Sequence, residues 1–164
     1  MKNFKIILVI CILVIIQSCK SDDASSDSLL IGTWNLVSLH HTSTITGIEI
    51  NSSTVGVGRD INYTYTFQKN PNEVISEGSF ALDLTTTSNG ETTKHSIGTA
   101  GSSTSNWTLE GNQLTYTWET GNQVNTITKL EENALIYTLN RTEENNQNGT
   151  IEITVIEETY TFSR

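Results

Sequence analysis

Trp107-Thr108-Leu109-Glu110-Gly111-Asn112-Gln113-Leu114-Thr115-Tyr116-Thr117-Trp118 is the stretch that decides the fold. Leu114, Tyr116 and Trp118 alternate with Thr115 and Thr117, which is the two-residue period of a strand with one buried and one wetted face. Gly111-Asn112 supplies turn chemistry ahead of it, so the segment reads as two antiparallel strands joined by a tight hairpin.

The same alternation recurs outward from this hairpin in Tyr63, Tyr65, Phe67; in Leu135, Tyr137, Leu139; in Ile151, Ile153, Val155; and in Tyr160, Phe162. No stretch of this region offers a helical period. Thr, Ser, Asn and Gly are abundant, as strands and turns require. Turn residues divide the chain into strands at 31–41, 60–68, 73–87, 104–110, 113–120, 123–130, 134–142 and 150–163. Thr92 to Ile97 offers one further strand. The expected fold is all-β, an antiparallel up-and-down barrel of about eight strands. Tight connections at Lys69-Asn70-Pro71-Asn72, Gly111-Asn112 and Glu131-Glu132-Asn133 fall at one end. The longer segments 42–59, 88–103 and 143–149 gather at the other as rim loops, with the Gly121-Asn122 turn among them. The expectation is a cup with a plain floor and an elaborated rim.

The N-terminal segment follows a different pattern. Lys2 and Lys5 precede an unbroken apolar run from Ile6 to Ile16, closed by Gln17 and Ser18. Eleven apolar residues are too few for a membrane-spanning helix, which takes about 20, and match a secretory signal peptide. Ile16-Gln17-Ser18-Cys19 resembles a lipobox, which implies cleavage after residue 18 and diacylglycerol, with acyl chains such as palmitate, on Cys19. Cys11 would leave with the leader, so the mature chain would have neither disulfide nor free thiol. Lys20-Ser21-Asp22-Asp23 resembles the export signal that sends Bacteroidota lipoproteins to the cell surface; an ordinary solvated linker facing the periplasm is the other reading. Residues 19–28 read as a flexible tether with roughly 30 Å of reach. Residues 29–164 are expected to form the single barrel domain.

Removing Lys2 and Lys5 leaves seven basic against 18 acidic residues, a net charge of −11. Such a surface repels nucleic acid and anionic lipid. A transmembrane barrel is also disfavoured, because the strand faces are mixed or threonine-rich where lipid would demand an apolar band.

Gly32-Thr33-Trp34 opens the first strand and Tyr160-Thr161-Phe162-Ser163-Arg164 ends the last. With the lipobox, the meander and the 107–114 hairpin, they resemble the lipocalins and the bacterial lipocalin-like lipoproteins. The resemblance is to a reduced member, without a disulfide or a helix after the closing strand. It implies that Arg164 packs over Trp34 beside Gly32 to join first and last strands. It also implies a small hydrophobic or amphipathic ligand.

Tyr63, Tyr65, Phe67, Phe80, Trp107, Tyr116, Trp118 and Tyr137 are the expected ligand-binding residues. The same side chains serve a second reading, a barrel packed solid that presents loops 42–59 and 88–103 to a protein or glycan partner. No cofactor, metal or catalytic centre is expected. His40 and His41 are adjacent and point to opposite faces of a strand, so they cannot share a metal ion. His95 reads as a rim residue, and Glu143-Glu144 and Glu157-Glu158 as solvated charge without calcium-loop spacing. Gly56-Val57-Gly58 lacks the Lys and helix of a phosphate loop, and no hydroxyl sits in a nucleophile elbow. An enzyme inside the barrel would need a His or carboxylate pointing inward. Asp27-Ser28-Leu29 resembles the O-glycosylation triplet of Bacteroidota.

Overall fold

The computed structural model describes residues 26–47, 51–147 and 150–164; Cys19, the Lys20-to-Asp23 stretch and the leader lie outside them. A short helix α1 (Ser26–Leu30) leads into β1 (Gly32–Thr46), β2 (Asn51–Gln68), β3 (Glu73–Ser88), β4 (Glu91–Glu110), β5 (Gln113–Trp118), β6 (Gly121–Glu131), β7 (Ala134–Gln147) and β8 (Thr150–Ser163). Each strand pairs antiparallel with the next, and β8 returns to β1 to close an eight-stranded up-and-down barrel.

The floor is packed from period-two residues of every strand. Trp34, Leu36, Phe67, Val74, Trp107, Leu114, Tyr116, Ile127, Leu135, Tyr137 and Phe162 form one buried cluster with Leu30 of α1 beneath them. Truncating an aromatic of this kind costs about 3–5 kcal/mol, so these residues carry much of the stability. Asn125 is fully buried among them, its amide donating to the Leu114 carbonyl at 3.1 Å and its oxygen accepting from Gln123 at 2.8 Å. Trp34 donates from Nε1 to the Leu30 carbonyl at 2.8 Å. The Arg164 guanidinium lies 4.0 Å over the Trp34 ring and donates from Nη2 to the carbonyls of Leu29 and Ile31 at 2.6 and 2.7 Å. Gly32 takes φ +116° beside it, where a Cβ would stand 3.7 Å from Nη2. Gly32, Trp34 and Arg164 thus meet where the barrel closes, and the N-terminal helix is fastened there too. That helix takes residues 26–28 out of the expected tether, because burial of Leu30 and the 3.5 Å Lys69–Asp27 pair hold it on the floor.

The rim differs from expectation. The Ser, Thr and Gly richness of 42–59, 88–103 and 143–149 predicts loops, whereas β1 runs on to Thr46, β2 starts at Asn51, β3 and β4 are joined by Asn89-Gly90 alone, and β7 reaches Gln147. Threonine is β-branched and suits a pleated surface, and here it lines the outer face, as at Thr42, Thr44 and Thr46. Thr92 to Ile97 belongs to the upper part of β4 rather than to a ninth strand.

These extensions are unequal. β4 pairs with β5 only from Asn106 to Glu110, and β6 pairs with β7 only below Thr126↔Thr138. Among the described residues, β4 pairs with β3 alone from Glu91 to Ser105, and β7 pairs with β8 alone from Leu139 to Glu144. The molecule is therefore a closed barrel at its floor and, above it, a six-stranded sheet in the order β4-β3-β2-β1-β8-β7. The short β5–β6 hairpin leaves a gap in the wall between the two edges.

Candidate functional site

Beneath that gap lies a cavity of about 100 Å³. Its lining is aromatic on one side and mostly small or polar on the other because different strands contribute different types: Tyr65 from β2, Val74 and Ser76 from β3, Ser103 and Ser105 from β4, Tyr116 and Trp118 from β5, Gln123 from β6, Tyr137 from β7 and Tyr160 from β8. Register places them together. Tyr65 pairs with Ser76 and Ser76 with Ser103; Tyr137 pairs with Tyr160. The rings form a connected set, with Tyr137 and Tyr160 centroids 4.9 Å apart and Tyr116 meeting Tyr137 edge-on at 6.2 Å.

Tyr116 is 3% exposed, and its Oη, closed off from solvent, is set against the Tyr137 hydroxyl without a well-formed hydrogen bond. A buried phenol left without a partner costs about 1–3 kcal/mol, and native structures leave few such groups without a reason. Burial pushes the phenols of Tyr65, Tyr116, Tyr137 and Tyr160 well above their ordinary value, and the Glu158 charge adds to the effect at Tyr160 and Tyr65. All four are neutral hydroxyls at ordinary pH.

Trp118 is the roof. It ends β5, sits 6.2 Å from the Tyr116 ring and is 38% exposed. It also borders two open grooves flanking the hairpin. One, of about 380 Å³, runs along the edge of β7 past Asn122, Gln123, Leu139 and Arg141. The other, of about 330 Å³, runs along β4 past Thr104, Asn106 and Glu119.

Above the cavity a polar relay points inward. His41 Nδ1 lies 3.0 Å from Glu158 Oε1, and Tyr160 Oη donates to Glu158 Oε2 at 2.6 Å. Register explains it, since His41 faces Glu158 across β1 and β8 while His40 faces outward on the exposed side. Glu158 is therefore not the solvated charge that its Glu157-Glu158 context predicts. Glu143 is ion-paired with Arg141 at 2.9 Å. Among the described residues no group of three His, Cys, Asp or Glu is placed to hold a metal ion.

The eight aromatics expected to bind ligand divide into three sets. Tyr65, Tyr116, Trp118 and Tyr137 line the cavity. Phe67 and Trp107 are floor core instead, 1% exposed each, with the Trp107 indole donating to the Gln68 carbonyl at 2.9 Å. Tyr63 and Phe80 pack edge-to-face at 5.5 Å beside the cavity, and Tyr63 donates to Ser76. The expectation omits Tyr160, Ser76, Ser103, Ser105 and Gln123. Tyr160 was legible, standing two residues before Phe162 in the closing run. The two serines of β4 were not, because they fall in or beside the stretch whose composition reads as loop.

Set against family models, curated proteins and solved structures, the chain matches none.

Proposed function

We propose that this protein is a lipocalin-like binding protein that takes a small amphipathic ligand through the wall gap into the tyrosine-lined cavity under Trp118. The observation that carries the reading is the space itself, walled by the rings of Tyr65, Tyr116, Trp118, Tyr137 and Tyr160 together with the hydroxyls of Ser76, Ser103 and Ser105. A wholly apolar ligand is a poor fit, because the Ser103 and Ser105 hydroxyls would lose water without compensation. Size argues the same way. The cavity is smaller than the roughly 150 Å³ void that accepts benzene, so it takes a compact head group, and the rest of the ligand lies in the grooves beside Trp118.

In this reading Cys19 carries the lipid, and the Lys20-to-Asp23 stretch directs the protein to the outer membrane, with the domain at the cell surface. Because α1 leaves the floor, a tether from Cys19 would hold the floor toward the membrane and turn the gap away from it. Native mass spectrometry of the full chain, extracted from its membrane in a non-ionic detergent, tests the binding reading. A retained small-molecule mass that is absent from a Trp118→Ala chain is the expected result. No retained mass in either chain would overturn it.

The upper edges of β4, from Glu91 to Ser105, and of β7, from Leu139 to Glu144, favour a second reading, an interaction module that adds a partner's strand to its sheet. It replaces the rim loops of the sequence expectation, since those segments are strands.

A further inference from the structure

The cavity's shape and lining suggest what kind of head group it accepts. Five aromatic side chains, Tyr65, Tyr116, Trp118, Tyr137 and Tyr160, surround a space of about 100 Å³, or about three water volumes. Aromatic faces carry the negative lobe of the ring quadrupole and attract a cation placed within about 6 Å, Trp most strongly. The tyrosines remain neutral phenols, so their attraction needs no ionisation.

The fixed charges nearby have the same sign. The Glu158 carboxylate stands behind Tyr160, held there by the Tyr160 hydroxyl and by His41. No Lys or Arg lines the cavity itself. Arg141 borders only the outer groove, where Glu143 pairs with it. An anion would meet the negative faces of the rings with no Lys or Arg in the lining to balance its charge. A neutral apolar group would leave the Ser103 and Ser105 hydroxyls without a partner.

Resting on the binding reading above, we propose that the cavity is an aromatic cage for a quaternary or heavily alkylated ammonium group. The cation lies beneath the Trp118 indole, and the remainder of the molecule leaves by the gap.

Choline and 3,3-dimethyl-1-butanol, which replaces its charged nitrogen by carbon at nearly the same shape, separate charge from fit. The full chain in maltoside detergent is titrated with each by calorimetry. Choline is expected to bind at least about tenfold more tightly than the neutral isostere. Trp118→Ala should weaken choline by roughly five- to thirtyfold and reduce the preference for charge. The comparison of the two probes on the unaltered chain stands even if the variant does not fold. Equal or tighter binding of the isostere overturns the cage, as does choline binding that Trp118→Ala leaves unchanged, or no choline binding at all. The two proposals fail separately: a retained molecule without an ammonium group sinks the cage alone, whereas an empty spectrum sinks the binding reading with it.

Discussion

At the scale of the residue, the tyrosines are the sharpest handle. The chain has five, and four of them, Tyr65, Tyr116, Tyr137 and Tyr160, have phenols pushed up by burial from the ordinary value near 10. Below that pH both the folded and the unfolded chain hold these protons, and stability is unaffected. Above it the unfolded chain releases protons that the fold retains, so stability falls as pH rises. The loss is about 1.4 kcal/mol per pH unit for each group, or roughly 5 for the four together, against a total stability of about 5–15 kcal/mol. Cooperative loss of β structure within about one to three pH units above 10 is expected, with phenolate absorbance from these four rising alongside it. Ionisation of all four in a chain that remains folded would contradict their burial. The sequence showed the tyrosines as inward-facing but not which of them share a space. Tyr65, Tyr116 and Tyr137 converge with Tyr160 because of register between distant strands, which no local pattern encodes.

At the scale of the element, strand number and order were legible and strand length was not. Alternation of large apolar residues marks the lower halves of the strands, where Trp34, Phe67, Leu114, Leu135 and Phe162 fill the floor. In the upper halves of β1 to β4 the residues are mostly threonine, serine and glycine with little burial contrast, and in β8 the alternating Ile151, Ile153 and Val155 are exposed. One consequence of the long strands is a close crossing at the β2 irregularity between Arg59 and Asn62. Gly78 lies opposite it with φ +123°, and a Cβ there would stand 2.0 Å from the Asn62 carbonyl oxygen. Because that obstacle is backbone, Gly78→Ala is expected to cost about 2–4 kcal/mol in denaturant unfolding. Gly98→Ala on β4, where a Cβ meets nothing within 4 Å, should stay within about 0.5 kcal/mol. Equal costs for the two would mean that β2 and β3 do not cross as described.

At the scale of the whole molecule, the barrel was legible because every turn at the floor is short and every strand contributes to one core. The opening was not. A wall gap arises from the contrast between six-residue β5 and its longer neighbours, and the sequence marks β5's end only by a turn. The site follows from that contrast, since a longer β5–β6 hairpin would seal the cavity and cover both sheet edges. Trp118 is where the gap, the two grooves and the cavity meet. The other two tryptophans, Trp34 and Trp107, are buried on the floor with their indole N–H groups bonded to the Leu30 and Gln68 carbonyls. Labelling the indole nitrogens with ¹⁵N therefore gives one reporter at the site and two away from it. During titration with small amphipathic molecules of positive, negative and zero charge, binding is expected to move the Trp118 resonance and leave those of Trp34 and Trp107 in place. A molecule that binds without moving Trp118, or that moves the floor tryptophans instead, would contradict the cavity as the site.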